Sequence, residues 1–358
     1  MQPISTQRLR DSYEDAERHS NEKTAALTVA QFSSAEAFGE PVDWMIGPFE
    51  RDDSLTFRLE GQWDDPTGVG WTSSSLFNPT LMERDGRLHL FYRASPRKES
   101  LASRIGHAVY TPGAGWSDDA ANPLIFPTDD DEVWGCEDPK VYEADGRYVM
   151  FYNGIWPLAG AEEAERYPSP GWPLGEVGCD IRMAISDDLE AWEKVGLAVP
   201  YAVSRLWAKG AVVATDGRGN AVRFGEHYLM FLSEGCDGVL TVGRSTDLVH
   251  WTFEPQPYLD ISEWGSLHEV ACAVVTGDTL VLDFFYRDRE GEFAAGQARY
   301  AVVDPFTQLQ LHRGGSLAWG GLIRWQGDWM FAQGWDAPAG DRELYFYRSP
   351  GGGSSGTG

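Results

Sequence analysis

Two stretches of the sequence share one pattern: LMERDGRLHLFYRA at 81–94 and VYEADGRYVMFYNG at 141–154. In each stretch, alternating apolar residues flank an Asp-Gly pair, Asp85–Gly86 in the first and Asp145–Gly146 in the second. Asp-Gly between two such runs is a strong hairpin signal, because the turn needs a positive φ and glycine adopts it without steric cost. Each stretch therefore predicts a β-hairpin.

The same strand–turn–strand unit recurs in the second half of the chain. It is found in VRFGEHYLMFLSEG at 222–235, VVTGDTLVLDFFYRD at 274–288 and LIRWQGDWMFAQGW at 322–335. Five similar hairpins in one chain indicate a repeat architecture. A ring of sheets accommodates such repeats because it leaves only short, protected edges. The sequence thus predicts an all-β fold, a five-bladed β-propeller, with two packed β-sandwiches or another blade count as the alternatives.

A second motif follows some of the hairpins. It reads ISDDLEAWEKV at 185–195 and STDLVHWTFEP at 245–255. The aspartate can hold a tight turn through its side chain, and the Leu and Trp that follow can fill the space between neighbouring sheets. The motif supports the prediction that the sheets of this chain pack face to face around one axis.

Three segments are predicted along the chain. Residues 1–40 are a polar N-terminal extension with a short helix in SYEDAERHSNEKTAALTVAQF at 12–32. Residues 41–349 form the propeller, which is the expected catalytic domain. The Gly- and Ser-rich residues 350–358 are typical of a flexible tail.

Composition narrows the classes of partner and location. The formal net charge of −26 makes binding to nucleic acid or to an anionic membrane unfavourable. The chain shows neither an apolar secretory segment at its start nor a run long enough to span a membrane, so a cytoplasmic location is expected. Its four cysteines lack CxxC spacing, which predicts reduced thiols and no zinc site.

Polar and large aromatic residues precede the hairpins, where the innermost strand of each blade begins. Because inner strands line the central channel of a propeller, these side chains are expected to converge at one end of the axis. The candidates, from the first blade to the fifth, are Asn78, Glu137, Asp138, Lys209, His268, Glu269 and Trp319.

Within this set, Asp138 is the candidate for acid or base chemistry. Glycosidic bond cleavage needs an acid for the leaving oxygen and a base or nucleophile for the attack, and carboxylates supply both. Pro139 follows Asp138, and a proline restricts the preceding residue to extended backbone geometry. We therefore expect an extended backbone at Asp138 and a rigidly held carboxylate, with Glu137 as a hydrogen-bond acceptor for substrate or for a structural partner.

Several of these motifs occur together in one known family. SLFNPTLMERDGRLHLFYRA at 75–94, SRIGHAVY at 103–110 and WGCEDPKVYEADGRYVMFYNG at 134–154 stand in the expected order, and DLEAW and DLVHW follow. With these motifs the chain resembles glycoside hydrolase family 130, clearly from about residue 74 to about residue 255. The resemblance implies a five-bladed propeller that acts on β-mannosides. It also implies that Asp138 is the general acid and that its proton passes through a sugar hydroxyl.

The family contains inverting phosphorylases and hydrolases, and the resemblance leaves both open. Arg93, Arg104 and Lys209 fall where family motifs lie, and Lys140 stands where an arginine is usual. Phosphate binding needs such cations. Glu234, however, lies near the end of the third hairpin, where the resemblance implies an arginine-containing element in the phosphorylases, and an anionic side chain there would oppose phosphate. This favours an exo-acting, inverting β-mannoside hydrolase with Glu234 or Glu269 as the base.

The binding expectations follow from this hypothesis. Asn78, Arg93, Arg104, Glu137, Lys140, Lys209, His268 and Trp319 are expected to contact a short oligosaccharide. No metal or cofactor is expected, and inorganic phosphate is the co-substrate if the protein is a phosphorylase. A homo-oligomer is compatible with the sequence.

Two further functions remain alternatives: a non-catalytic carbohydrate-binding propeller, and a glycosidase for arabinosides or fructosides. The long Pro- and Gly-rich insert at 156–180 is expected to cover the mouth of the channel.

Overall fold

A computed structural model of the chain describes residues 4–20, 27–40, 42–60, 69–168, 176–338 and 340–349. Strands dominate these residues, with a few short helices between them. The strands are β1 (Glu50–Arg58), β2 (Ser75–Arg84), β3 (Arg87–Ser95), β4 (Arg104–Thr111), β5 (Gly115–Asp118), β6 (Gly135–Ala144), β7 (Arg147–Pro157), β8 (Val177–Ser186), β9 (Glu193–Leu197), β10 (Ala208–Lys209), β11 (Val212–Val213), β12 (Arg223–Phe224), β13 (His227–Leu232), β14 (Glu234–Gly235), β15 (Thr241–Ser245), β16 (Thr252–Pro255), β17 (Gly265–Thr276), β18 (Thr279–Asp288), β19 (Phe293–Ala301), β20 (Gln310–Arg313), β21 (Ile323–Trp325), β22 (Asp328–Gln333) and β23 (Glu343–Ser349).

The helices lie mostly in the N-terminal extension and in connections between strands. The α-helices are α1 (Thr6–His19), α2 (Ala30–Ser33), α3 (Ala35–Phe38), α4 (Glu162–Arg166) and α5 (Tyr201–Ser204), and single 3₁₀ turns cover Asp130–Glu132 and Cys236–Gly238.

The strands form five sheets, one for each predicted hairpin. Blade one is β2–β3–β4–β5, blade two is β6–β7–β8–β9, and blade three is β11–β13–β15–β16 with β12 beside β13. Blade four is β17–β18–β19–β20 and blade five is β21–β22–β23–β1. The segments just before β11 and just after β13 form a separate two-stranded sheet, β10–β14, next to blade three. The predicted five-bladed β-propeller is confirmed.

Blade five closes the ring with a strand from the start of the domain. Strand β1 is its outermost strand and pairs antiparallel with β23, from Glu50 opposite Arg348 to Arg58 opposite Glu343. Phe57 of β1 is buried, and its ring packs against Tyr92 of blade one at 5.5 Å between ring centroids. The closing strand therefore also joins blade five to blade one.

The turn chemistry read from the sequence is present in the structure. Asp85 and Gly86 have φ of 52° and 72°, and the matching pair in blade two also has positive φ. In the second motif, Asp188 Oδ1 accepts a hydrogen bond from the backbone N–H of Ala191 at 2.8 Å. Leu189 is buried between blades, as predicted for the apolar residue of this motif.

The N-terminal extension is helical, but its main helix lies earlier than the sequence suggested. Helix α1 begins at Thr6, because Ser5 caps it by accepting a hydrogen bond from the N–H of Arg8. It ends at His19, and residues 21–26 lie outside the described part of the chain. Leu9 and Ala16, both residues of α1, are buried. The extension thus packs on the propeller, and its predicted boundary at residue 40 stays a prediction.

Two other expectations concern the whole chain. Within the described residues, the helices all lack the combination of length and hydrophobicity that a membrane span requires. The four cysteines are free and buried. The predicted flexible tail at 350–358 lies outside the described residues.

Truncating Phe57 tests the closure of the ring. Phe57 is 1% exposed and also contacts Trp116, with 5.2 Å between ring centroids. We expect Phe57→Ala to lower the free energy of unfolding by about 3–5 kcal/mol, as cavity formation does for a buried phenylalanine. Chemical denaturation measures this. Val303→Ala is the control, since Val303 is 95% exposed, and an unchanged stability of Phe57→Ala would contradict the closing role of β1.

Candidate active site

A pocket of about 370 Å³ opens where the inner strands of the blades meet. Its volume is within the range of small-molecule sites. Blades one and two line it with Asn78, Arg93, Glu137 and Asp138. Blades three, four and five line it with Lys209, Glu234, His268, Glu269 and Trp319. The structure therefore brings together all but two of the side chains that the sequence nominated.

A β-bulge in each of the first two blades directs a polar side chain into the pocket. The register of β2 with β3 shifts between Phe77 and Thr80, and that of β6 with β7 shifts between Glu137 and Lys140. Asn78 and Asp138 lie at these shifts with φ of 44° and 53°. The predicted extended geometry at Asp138 is thus wrong, because the bulge overrides the preference that Pro139 imposes.

The Asp138 carboxylate is held on both oxygens. Its Oδ1 accepts hydrogen bonds from Asn78 Nδ2 at 2.8 Å and from Arg93 at 3.0 Å. Its Oδ2 accepts one from Lys209 Nζ at 3.0 Å. Arg93 and Lys209 also form ion pairs with Glu137, so two adjacent carboxylates share two cations. All four charged side chains are buried or nearly so, so the removal of one of them would leave an uncompensated charge in the interior.

This surrounding fixes the charge of Asp138 in the unliganded site. Burial alone would raise the pKa of Asp138, but the positive charges of Lys209 and Arg93 outweigh burial and hold that pKa well below its usual range. Asp138 is therefore a carboxylate at neutral pH until something separates it from these cations.

A second pair of carboxyl groups, Glu234 and Glu269, lies elsewhere in the pocket, from blades three and four. Burial and the neighbouring Glu269 carboxylate raise the pKa of Glu234 to about 8. Burial also raises the pKa of Glu269, with the Lys140 charge opposing the rise. At neutral pH Glu234 is consequently protonated.

Glu269 is positioned by contacts on both of its oxygens. Trp319 Nε1 donates a hydrogen bond to Glu269 Oε2 at 2.7 Å, and Lys140 Nζ lies 3.6 Å from Oε1. The Trp319 ring itself packs against Phe285, with 4.6 Å between ring centroids. Glu269 is thus a fixed, charge-compensated carboxylate facing the pocket.

The glutamate pair and His268 are the described side chains that could hold a metal ion. One ligand atom from each of Glu234, His268 and Glu269 can be chosen so that all three lie within 4.8 Å of one another. Two oxygens and one nitrogen suit a divalent cation such as zinc or manganese. However, Lys140 already faces Glu269, and a positive side chain at that distance opposes a second cation.

Arg104 and Lys140 are not among the described residues that line the pocket. Arg104 lies on β4, the third strand of blade one, and donates to the backbone carbonyls of Ser103 and Trp134. Lys140 donates to the carbonyls of Ala271 and Trp319 from a buried position behind Glu269. Their predicted contact with substrate is therefore not supported, since both cations are occupied inside the protein.

Several residues that line the pocket lie outside the nominated set, among them His19, Arg287, Phe293 and Trp335. Trp335 follows the fifth hairpin, and its Nε1 donates to Asn78 Oδ1 at 2.9 Å. Its place at the end of a hairpin, like that of Glu234 in blade three, is the signal that could have identified it. His19 comes from the N-terminal extension, which carries no propeller motif.

The insert expected to cover the channel mouth is described only in part. Residues 169–175 lie outside the described residues, while α4 and Glu176 lie within them. Glu176 Oε2 accepts a hydrogen bond from His19 Nε2 at 3.0 Å. One end of the insert thus contacts a side chain that lines the pocket.

Fold and pocket together define a five-bladed β-propeller with a carboxylate-rich axial site, and similar proteins can now be compared with it. A family model described as β-1,4-mannooligosaccharide phosphorylase matches residues 62–158. The β-1,2-mannobiose phosphorylase of Thermoanaerobacter sp. (strain X514) is 28% identical over 136 residues, which is 34% of this chain and 39% of that protein. The 1,2-β-oligomannan phosphorylase of the same organism is 30% identical over 134 residues, 36% of this chain and 40% of that protein.

These matches confirm the resemblance to glycoside hydrolase family 130. The match to the family model covers blade one and the first two strands of blade two. The chain spans about two fifths of the length of the curated relatives it matches.

Solved structures extend the similarity in fold to the whole ring. One, reported with the finding that the GH130 family of mannoside phosphorylases contains glycoside hydrolases that target β-1,2 mannosidic linkages in Candida mannan, superposes with a TM-score of 0.63. It is 19% identical, over 87% of this chain and 96% of its own. The β-1,2-mannobiose phosphorylase from Listeria innocua has a TM-score of 0.60 at 13% identity, over 85% of this chain and 97% of its own. At identities this low, the superpositions establish the shared fold alone.

Treatment with a chelator tests whether the glutamate pair and His268 bind a metal ion. Because Lys140 faces Glu269, we expect EDTA followed by gel filtration to leave glycoside turnover and the melting temperature unchanged. Both are measured on the same sample before and after treatment, with added Ca²⁺, Mn²⁺ or Zn²⁺ as the reference. A loss of activity that one of these ions restores would instead assign Glu234, His268 and Glu269 to a metal.

Proposed function

We propose that the protein is an exo-acting, inverting glycoside hydrolase that cleaves β-mannosides in short oligosaccharides. The observation that carries this proposal is the buried pair Glu234 and Glu269 in the pocket. An ionised Glu269 would oppose a bound phosphate, but it can activate a water. The choice of β-mannosides rests on the substrates named for the similar proteins.

Glu269 is our candidate for the base. Trp319 and Lys140 contact its two oxygens, and the Lys140 charge opposes the rise in the pKa of Glu269 that burial causes. An ionised, fixed carboxylate can remove a proton from water as that water attacks the anomeric carbon. Glu234 carries the proton of the pair and can orient the water through a hydrogen bond.

Asp138 is our candidate for the acid, although it is ionised in the unliganded site. A sugar bound between Asp138 and the cations would weaken the contacts with Arg93 and Lys209 that lower its pKa. Burial, which raises that pKa, would then dominate. The proton held by Glu234 in the free protein would pass to Asp138, which gives it to the leaving oxygen through a sugar hydroxyl.

Phosphorolysis is the second candidate, and the comparisons favour it. The matching family model and both curated relatives are named as phosphorylases. Against it, Arg93 and Lys209 are already paired with Glu137 and Asp138. Phosphate would therefore have to compete with two carboxylates for these cations.

Product analysis with and without phosphate decides between the two reactions. We expect β-1,2- or β-1,4-mannobiose to be converted to mannose at equal rates in both buffers, with α-mannose as the first anomer in the proton NMR spectrum. Asp138→Asn should lose most turnover yet keep its affinity for the disaccharide. Strict dependence on phosphate and release of mannose 1-phosphate would establish phosphorolysis. Unchanged turnover by Asp138→Asn would remove Asp138 from the chemistry.

The pH dependence of kcat/KM tests the proton assignment. The free protein needs the proton of Glu234, whose pKa is about 8, so kcat/KM should fall as pH rises above that value. Glu234→Gln cannot pass on a proton, and Asp138 would have to take one from solvent despite its low pKa. We therefore expect this variant to lose about 10²-fold or more in kcat/KM and to lose activity at lower pH than the wild type.

Glu226→Gln is the matched control for this substitution, since Glu226 is exposed in the same blade. Its profile should equal that of the wild type. If Glu234→Gln keeps the alkaline limb of the wild type, Glu234 does not hold the proton that catalysis uses.

A further inference from the structure

We infer that helix α1 of the N-terminal extension forms part of the subsite for the leaving sugar, with His19 as the residue that contacts it. The inference rests on the proposed function, because it concerns the second sugar of the same substrate. His19 lies at the last position of α1 and lines the pocket together with Leu101 and Ile155.

The position of this wall follows from the geometry of inversion. The water attacks from the face of the sugar opposite to the leaving group. The base candidate Glu269 belongs to blade four, and in a ring of five blades the junction of blades one and two lies opposite blade four. The leaving sugar should therefore lie at that junction, where Leu101 of the β3–β4 connection and Trp134, just before β6, are found.

Helix α1 is attached at this junction. Arg97 Nε donates to Glu17 Oε2 at 2.7 Å, and Ser100 Oγ donates to the other oxygen of Glu17. The backbone N–H of Leu101 donates to Ser20 Oγ at 2.9 Å. The C-terminal end of α1 thus holds the connection that carries Leu101 into the pocket.

The same connection also supports the charge cluster. Arg93, which binds Asp138, donates to the carbonyl of Ser100 at 3.0 Å. The helix is therefore linked to the reacting groups as well as to the pocket wall.

The His19 ring is fixed in orientation but has one replaceable partner. It stacks on Trp134 with 4.9 Å between ring centroids and an interplanar angle of 23°. Its Nδ1 donates to the carbonyl of Asp15 at 2.9 Å, which leaves Nε2 directed at Glu176. The Glu176 side chain is 69% exposed, so a sugar hydroxyl can replace it at low cost.

A protonated ring suits this contact. The carbonyl of Asp15 raises the pKa of His19, and Glu176 adds to the rise. An imidazolium donates from both nitrogens, and Nε2–H can then donate to a hydroxyl of the leaving sugar. The apolar side chains of Leu101 and Ile155 offer contact for its ring carbons.

Substrates with and without a leaving sugar test the inference. We compare β-mannobiose with β-mannosyl fluoride, which loses fluoride and has no second sugar. His19→Ala should lower kcat/KM for mannobiose about 10- to 100-fold, the effect of a hydrogen bond and its packing. For the fluoride, which has no second sugar, kcat/KM should stay within about 2-fold. A loss caused by lost packing alone would instead affect both substrates equally. His19→Phe keeps the stacking on Trp134 and should lose only part of the mannobiose activity.

Arg18→Ala is the control on the same helix, because the Arg18 side chain is 65% exposed and its neighbour Asp15 is its partner. It should act like the wild type on both substrates. Equal losses on both substrates by His19→Ala, or no loss on either, would overturn the inference.

The proposed function and this inference can fail separately. Turnover of mannosyl fluoride by the wild type tests the function alone. Calorimetry with Asp138→Asn then compares the affinities for mannobiose and mannose with and without His19→Ala. If His19→Ala leaves the ratio of the two affinities unchanged, His19 does not contact the second sugar, whatever reaction the protein catalyses.

Discussion

The structure depends on the burial of two adjacent carboxylates, Glu137 and Asp138, between Arg93 and Lys209. Each removed cation would leave an uncompensated charge in the interior, which is far more costly than the pair itself is favourable. Asp138 and Glu137 belong to blade two, Arg93 to blade one and Lys209 to blade three. A single blade cannot satisfy these charges. The cluster therefore fixes three blades relative to one another at the point where the pocket opens.

This arrangement assigns different charges to chemically similar groups. Asp138 shares two cations and is ionised, whereas Glu234 has the Glu269 carboxylate for a neighbour and keeps its proton. Environments that separate the pKa values of carboxyl groups are typical of sites that use one as acid and another as base. Because the separation comes from positions of cations, a substrate that displaces them can reverse it. Proton movement and sugar binding are then one event.

Most of the ring was predictable because its signals are local. Asp-Gly turns, alternation and the Asp-Leu-x-x-Trp motif each depend on a few neighbouring residues, and all are present where the sequence placed them. The position of Asp138 at the entrance of an inner strand was predictable for the same reason. The blade count followed from repetition.

The errors and omissions concern contacts between distant residues. Pro139 predicts extended backbone at Asp138, but three side chains from blades one and three hold the carboxylate in a bulge with positive φ. The same bulge breaks strand alternation, so Lys140 does not share the pocket with Asp138. Arg104 belongs to a family motif, but the motif does not reveal that β4 is the third strand of its sheet and that Arg104 is not among the residues that line the pocket. His19 reaches the pocket only because α1 packs across two blades, and the sequence around it carries no sign of that packing.

The pairing of β1 with β23 has a consequence for biosynthesis. Strand β1 leaves the ribosome before every other strand, and β23 leaves last. Strand β1 stays without its partner strand β23 while the first four blades assemble. The ring closes only when synthesis of the domain is complete. Contacts between such distant parts of a chain form slowly, since the intervening segment must first be ordered. The last blade to form is thus the one that requires the oldest part of the nascent polypeptide.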